Sequence, residues 1–327
     1  MQYNRRKFLI QSSLITGGVV ASPSLFGKSY SSHAANAIAS SGDGEEIFFK
    51  LSLAEWSFHK ALWAKELDNL DFAAKSKSLG FDGIEYVNQF FKDKAEDTSY
   101  LNQLNQRAAD ADIKQLLIMV DGEGGLGDLD DTSRKTAVEN HYKWVNAAKH
   151  LGCHSIRVNA FGEGSSEDVK KAAISGLGSL SEYAKKEDIN VIVENHGGYS
   201  SDGKWLSAVM KGVNMPNCGT LPDFGNFCIM REGGHPWSGK CIEEYDRYQG
   251  VDELMPFAIA VSAKAHDFDS NGNETHTDFL KMMKIVKDHG YKGYVGVEYE
   301  GSELSEEEGI IATRDLLIKV GKKLQDS

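Results

Sequence analysis

The twelve residues VIVENHGGYSSD, 191–202, pose the question on which the fold turns. Val191, Ile192 and Val193 in succession read as a buried strand, which ends on Glu194, Asn195 and His196 and breaks at Gly197-Gly198. A carboxylate and an imidazole at the end of an apolar strand are costly unless something there needs them. The rest of the chain is therefore read for the same event.

It recurs at regular intervals. Apolar segments that read as strands lie at 48–53, 82–86, 115–120, 155–159, 191–194, 218–223, 258–264 and 294–298. Amphipathic segments that read as helices lie at 65–79, 99–111, 132–151, 167–186, 204–211, 242–254, 277–289 and 303–323. Gly80, Gly152 and Gly290 stand just past three of these, where a helix C-terminus favours glycine. Strict alternation predicts a parallel sheet with helical crossovers. Eight units over roughly 280 residues predict a single-domain α/β protein, a (β/α)8 TIM barrel at 47–327. An open doubly wound sheet would announce a glycine fingerprint after its first strand, but that strand runs into Leu53-Ala54-Glu55-Trp56. The glycines of 122–127 stand among Asp121, Glu123 and Asp128, which spoils a phosphate cradle and reads as a flexible surface loop.

A barrel of this kind builds its site at the C-terminal ends of its strands. The fifth strand ends on Glu194, and the sixth on Asp223 within Leu221-Pro222-Asp223-Phe224-Gly225-Asn226. The seventh runs Ser262-Ala263-Lys264-Ala265-His266-Asp267, the eighth ends on Glu298, and the second and fourth end on Glu85 and Arg157. Carboxylates crowded at one mouth repel and are partly desolvated, so without a counter-charge some take up protons. One divalent metal ion resolves this. Carboxylate oxygens with one imidazole suit Mn2+, Mg2+, Zn2+ or Co2+, and no thiolate lies nearby to bias the choice. Taken singly, each carboxylate reads as half of a salt bridge; four successive strand ends favour the metal.

Glu194, Asp223, His266 and Glu298 resemble the Glu-Asp-His-Glu metal set of the xylose isomerase-like TIM barrels. More narrowly they resemble the sugar phosphate isomerase/epimerase group, with its ketose 3-epimerases and inosose dehydratases. The likeness spans about residues 47–323. It rests on Leu53-Ala54-Glu55-Trp56-Ser57, Gly80-Phe81-Asp82-Gly83-Ile84-Glu85, Val193-Glu194-Asn195-His196-Gly197 and Gly293-Tyr294-Val295-Gly296-Val297-Glu298. The resemblance implies that Glu194 and Glu298 also serve as the acid/base pair. Two departures stand out. Relatives often carry His-x-Lys-Asp at the end of the seventh strand, where this chain has Lys264-Ala265-His266-Asp267. Aligned on Asp267, the ligand position falls on Lys264, whose ammonium cannot bind a metal. Residues 264 and 266 share a strand face, so His266 is expected as ligand with Lys264 against the substrate. Asn226 stands where many relatives have a second His, and is expected to bind substrate.

The resemblance further implies a sugar isomerase or epimerase. One Glu removes the proton next to a carbonyl, giving a metal-bound enediolate, and the other returns it. The same enolate can expel a β-substituent, which would make the protein a lyase or dehydratase on a keto-sugar or 3-keto-glycoside. His196 is a candidate for metal or substrate contact or for general acid/base; a rim histidine bonded to the glycine turn is its rival reading. Trp56 and His59 offer a stacking platform for a sugar, and Glu85 and Arg157 polar contacts to it. Residues 231–239, with His235-Pro236-Trp237, read as a lid. A phosphodiesterase resembling endonuclease IV shares the barrel but favours a His-rich site and a basic face. A sugar-binding barrel without metal is the non-catalytic alternative that Lys264 opens.

The net charge of −12 argues against nucleic acid and anionic membranes as partners and suits a small-molecule sugar or glycoside. Residues 1–39 read as an export leader: Arg5-Arg6-Lys7-Phe8-Leu9 precedes a mild apolar run and a small-residue-rich stretch, a pattern resembling a twin-arginine signal. Residues 40–46 read as a linker. The mature protein is thus expected in the periplasm, off the membrane, acting on an unphosphorylated sugar. The four cysteines, Cys153, Cys218, Cys228 and Cys241, lack metal-binding spacing. Their even number permits disulfides but does not pair them, and they read chiefly as buried small residues.

Overall fold

The structure, a computed structural model, describes residues 47–234 and 237–325. The expected leader and linker, and His235 and Pro236 of the expected lid, lie outside the described residues. In chain order the strands are β1 (Lys50–Ala54), β2 (Gly83–Val87), β3 (Lys114–Met119), β4 (Ser155–Val158), β5 (Asn190–Glu194), β6 (Cys218–Leu221), β7 (Cys228–Arg231), β8 (Cys241–Glu244), β9 (Val261–Ala265) and β10 (Tyr294–Tyr299). The helices are α1 (His59–Ala64), α2 (Phe72–Ser78), α3 (Thr98–Asp110), α4 (Asp131–His150), α5 (Ser166–Lys186), α6 (Gly203–Val213), α7 (Arg247–Leu254), α8 (Phe279–Asp288) and α9 (Glu306–Gln325).

Eight strands form one parallel sheet in the order β6-β5-β4-β3-β2-β1-β10-β9. Parallel bridges from Thr220 to Ala258 and from Asp223 to Ser262 join its two ends, closing the (β/α)8 barrel. The expected alternation of strand and helix is therefore found, with one insertion. Between β6 and α7 the chain makes the antiparallel hairpin β7–β8, tied by a disulfide from Cys228 to Cys241. This corrects two expectations: two cysteines are paired, and residues 241–244 are strand where the helix 242–254 was expected to begin. Helix α7 starts only at Arg247, after Asp246, whose carboxylate accepts the Gln249 N–H. Asp97, Asp130, Ser165, Asp202 and Asp278 cap α3, α4, α5, α6 and α8 in the same way, each worth about 1 kcal/mol. Among the described residues, no helix is long and apolar enough to cross a membrane.

Two apolar clusters divide the core. The larger joins outward strand residues such as Ile84, Ile118, Val193 and Val297 to helix residues such as Leu180, Leu206 and Met282. The smaller holds Ala54, Val87, Leu117, Met119, Ile192, Leu221 and Ala260, with no helix residue, and fills the barrel interior. Strand alternation puts Glu85, Arg157, Glu194, Asp223, Lys264 and Glu298 on that same inward side. The interior is thus an apolar plug beside a charged layer, and the charged layer is the site.

Trp144 of α4 is fully buried and bridges the helix layer to the barrel mouth. Its Nε1 donates to Glu123 Oε1 at 2.7 Å, fixing the 122–127 loop, and its ring meets Phe91 edge-on at 5.3 Å. Trp144→Ala should cost about 3–5 kcal/mol in urea unfolding. Trp144→Phe, which keeps most of the packing but takes the indole donor from the buried Glu123 carboxylate and leaves it to Lys143, should cost about 1–3 kcal/mol.

Candidate metal and catalytic site

A cavity of about 620 Å³ opens at the C-terminal ends of the barrel strands. The barrel register builds its floor. Glu298 is paired across strands with Lys264, and Asp223 with Ser262. Glu194, at the end of β5, joins them: carboxylate oxygens of Glu194, Asp223 and Glu298 lie within 4.8 Å of one another, and all three residues are buried. The Lys264 ammonium lies 3.2 Å from Glu298 Oε1 and 3.1 Å from Glu300 Oε1. Ser262 Oγ sits 2.7 Å from Asp223 Oδ2 and 3.0 Å from Glu298 Oε2. A hydroxyl has one proton to give, so it satisfies one of those two oxygens and leaves the other to a proton or a cation.

Charge balance sets the protonation. Burial raises Glu194 to about 7 and Asp223 to about 6, and raises Glu298, with neighbouring carboxylates adding to each. Burial alone would lower Lys264, but Glu298, Glu300, Asp223 and Glu194 hold it well above its usual value, so it stays an ammonium. Glu300 is raised by burial but drawn down to about 2 by Lys264. Arg157 lies 2.8 Å through Nε from Glu194 Oε2, too poorly aligned for a hydrogen bond, and donates through Nη1 to Asp121 Oδ1 at 2.8 Å. Glu194 Oε1 accepts from the Asn226 amide at 2.9 Å.

A polar chain fixes the tautomer of His196. Asp121 Oδ1 also accepts from Asn159 Nδ2 at 2.7 Å, which turns Asn159 Oδ1 toward His196 Nδ1 at 2.9 Å. Nδ1 must therefore carry the proton, leaving Nε2 as the bare nitrogen. Burial, helped by Arg157, lowers His196 to about 3, so the ring is neutral. Trp237 donates from Nε1 to the His196 carbonyl at 2.8 Å and packs on Phe161 at 5.1 Å, covering one side of the cavity.

The residues singled out in sequence divide into three groups. Trp56, Arg157, His196, Asn226, Lys264 and Glu298 line the cavity, and Glu194 and Asp223 meet Glu298 at its floor. His59 and Glu85 sit behind it. His59 stacks on Trp56 at 5.0 Å and donates from Nδ1 to the Trp56 carbonyl at 2.8 Å. Glu85 is buried in the barrel, accepting from Ser52 Oγ at 2.6 Å, beside Gly296, where a Cβ would come within 2.5 Å of it. His266 is elsewhere: it clusters with Glu274 and His276 rather than with the three carboxylates. Past Ala265, where β9 ends, the chain folds back through the antiparallel bridge of Phe268 with Glu274, which draws His266 to that return instead of to the cavity floor.

Asp121, Asn159 and Glu300 were not singled out. Asn159 and Glu300 stand two residues past Arg157 and Glu298 on the same face, so parity would have found them. The glycines at 122, 124 and 125, expected in a flexible loop, instead form a cavity wall. At Gly125 a Cβ would come within 2.9 Å of the Phe161 carbonyl.

Comparison with known proteins agrees with the barrel fold. A model of the family described as "Xylose isomerase-like TIM barrel" matches residues 73–320. The C-glycoside deglycosidase alpha subunit of Arthrobacter globiformis is 39% identical over 49 residues, 15% of this chain and 14% of that protein. The solved IOLI protein with a bound zinc atom superposes with a TM-score of 0.64 at 18% identity, covering 84% of this chain and 99% of that one. The 3-keto-D-glucoside 4-epimerase of E. coli gives 0.58 at 14% identity, covering 85% of this chain and 100% of that one.

Glu85, raised to about 7 chiefly by burial, supplies a test of this charge layer. From about pH 4.5 to 7 the folded state holds a proton that the unfolded state has lost, so its contribution to stability falls as pH rises, by about 3 kcal/mol in all. In chelator-treated protein, thermal unfolding from pH 5 to 8 should show this decline together with those of Glu194, Asp223 and Glu298, and Glu85→Gln should make it shallower.

Proposed function

From a chain that belongs to the xylose isomerase-like TIM barrel family, we propose a metal-dependent sugar isomerase or epimerase that moves a proton next to a carbonyl. The observation that carries this reading is the convergence of Glu194, Asp223 and Glu298 within 4.8 Å on the floor of the cavity. Their donor set fits a divalent ion: three carboxylates against two cations, Arg157 and Lys264, with burial first and neighbouring carboxylates second raising all three carboxyl pKa values. All-oxygen donors favour Mg2+ or Mn2+ over Zn2+ or Co2+. Bound there, the ion would polarise a substrate carbonyl.

The chain's own groups supply the rest. Glu194, raised to about 7, and Glu298, raised above the usual carboxylate range by burial, stand within 4.8 Å of each other on the cavity floor, where they would act as the general acid/base pair. Lys264, a fixed ammonium, would face negative charge developing on the carbonyl oxygen. His196 Nε2 and the Asn226 amide would orient hydroxyls. Trp56 and Trp237 would hold the apolar face of a sugar and exclude water. Returning the proton to the opposite face of the same carbon gives epimerisation; returning it to the neighbouring carbon, with a proton moved between the two oxygens, gives isomerisation. A second reading, β-elimination from the same carbanion on a keto-glycoside, draws on the short likeness to the deglycosidase subunit.

Each of Glu194→Gln and Glu298→Gln should slow turnover on a keto-sugar roughly 10²–10⁴-fold, with little loss of folded stability. In deuterated water the wild type should exchange the proton next to the carbonyl and both variants should lose that exchange. Normal exchange in both variants would remove the proton-transfer reading; no exchange in wild type on any keto-sugar would favour a binding protein. The reading also includes export of the folded enzyme, with the disulfide from Cys228 to Cys241 persisting outside the cytoplasm. Changing Arg5 and Arg6 to Lys should leave the precursor in the cytoplasmic fraction, and unchanged export would point to a general secretory route.

A further inference from the structure

Beyond β9 the chain folds back on itself. Phe268 and Glu274 form an antiparallel bridge, Thr275 N donates to the Asp267 carbonyl at 3.0 Å, and the Asp269 carboxylate closes the turn on the N–H groups of Asn271 and Asn273. Carried outward, this register sets His266 opposite His276. Residues two apart share a face, so His266, Glu274 and His276 fall on one side. Asp267 turns to the other, accepting from the N–H groups of Ser302 and Glu303.

On that side the donor atoms of His266, Glu274 and His276 lie within 4.8 Å of one another, and the two imidazoles are 5.3 Å apart between ring centroids. Glu274 is buried, and its carboxylate is held in place by the backbone N–H groups of His266, His276 and Thr277. Those bonds use Oε2 twice and Oε1 once, leaving on Oε1 one lone pair, which faces His276 Nδ1 at 3.2 Å.

We propose that His266, Glu274 and His276 form a second divalent-metal site, separate from the carboxylate cluster, that takes Zn2+ or an ion of similar softness. Two imidazoles and one carboxylate, with no thiolate, are a donor set that zinc accepts, leaving its fourth position to water. Donors about 2.1 Å from a tetrahedral ion stand roughly 3.4 Å apart. The contraction from 4.8 Å falls on His276, whose side chain is 55% exposed and whose Nδ1 already meets Glu274 Oε1 and Thr275 Oγ1 at 3.2 Å, while backbone contacts hold Glu274 still. The ion would clasp both ends of this excursion at the barrel rim, just past the strand that carries Lys264.

The test counts zinc on the full chain. Chelator-treated wild type, dialysed against micromolar zinc sulfate and assayed by elemental analysis, should hold one equivalent more than His276→Ala. Glu298→Gln, altered in the other cluster, should keep that equivalent. Co2+ loaded at this site should give an absorption band that His276→Ala lacks. His276→Ala should unfold at the wild-type temperature in chelator, and zinc should raise the wild-type temperature more than the variant's. Equal zinc content in wild type and His276→Ala, or loss of the equivalent in Glu298→Gln alone, would overturn the assignment.

Discussion

The ammonium of Lys264 is the point on which the charge layer balances. It lies within 3.2 Å of Glu298 and Glu300, and Asp223 and Glu194 also act on it. Burying a lysine is costly unless it is paired, and here the pairing exceeds what one cation can satisfy. Acids next to a cation release their protons: Asp121 beside Arg157 and Glu300 beside Lys264 are both drawn down. Glu85, Glu194, Asp223 and Glu298 lie deeper or compete for the same cations, and all are raised. The barrel interior thus carries carboxyl groups poised to gain or lose protons near neutrality, which is both a demand for further positive charge and the raw material of proton transfer.

Barrel closure creates that imbalance. The bridge from Asp223 to Ser262 draws β6 against β9, and the pairing of Glu298 with Lys264 sets β10 beside it. The apolar plug beside them, from Ala54 to Ala260, keeps water out. Low local dielectric makes each charge act strongly on its neighbours. The mouth is finished by loops anchored elsewhere: Trp144 and Lys143 of α4 grip Glu123 behind the glycine wall, and the disulfide-tied hairpin precedes and follows the segment that places Trp237 over His196.

Much of the fold was legible because its signals are local. Strand and helix periods, the capping Asp and Ser residues, and the glycines at 80, 152 and 290, which all take positive φ, each report on a few neighbouring residues. The candidate site was legible in part for the same reason. A strand that ends in Glu194, or an eighth that ends in Glu298, exposes its polar residue to the rim whatever lies across from it. What failed to read locally was set by partners far away in sequence. Residues 241–244 form strand because they pair with 228–231 and are tied by Cys228 to Cys241. His59 supports Trp56 rather than facing the cavity because the chain turns sharply into α1.

By itself the sequence determined the order of eight strands and eight crossover helices, the acidic character of the chain and the rim on which its carboxylates collect. Only the tertiary structure decided which of them meet. It brought Glu194, Asp223 and Glu298 together, gave Lys264 to Glu298 and Glu300, hid Glu85 beside Gly296, and turned His266 away toward Glu274 and His276. Alternation along a strand is a property of consecutive residues. The register between strands, and the point at which a strand stops, depend on closing a barrel whose two ends lie some forty residues apart at Asp223 and Ser262 and on turns that no short window contains.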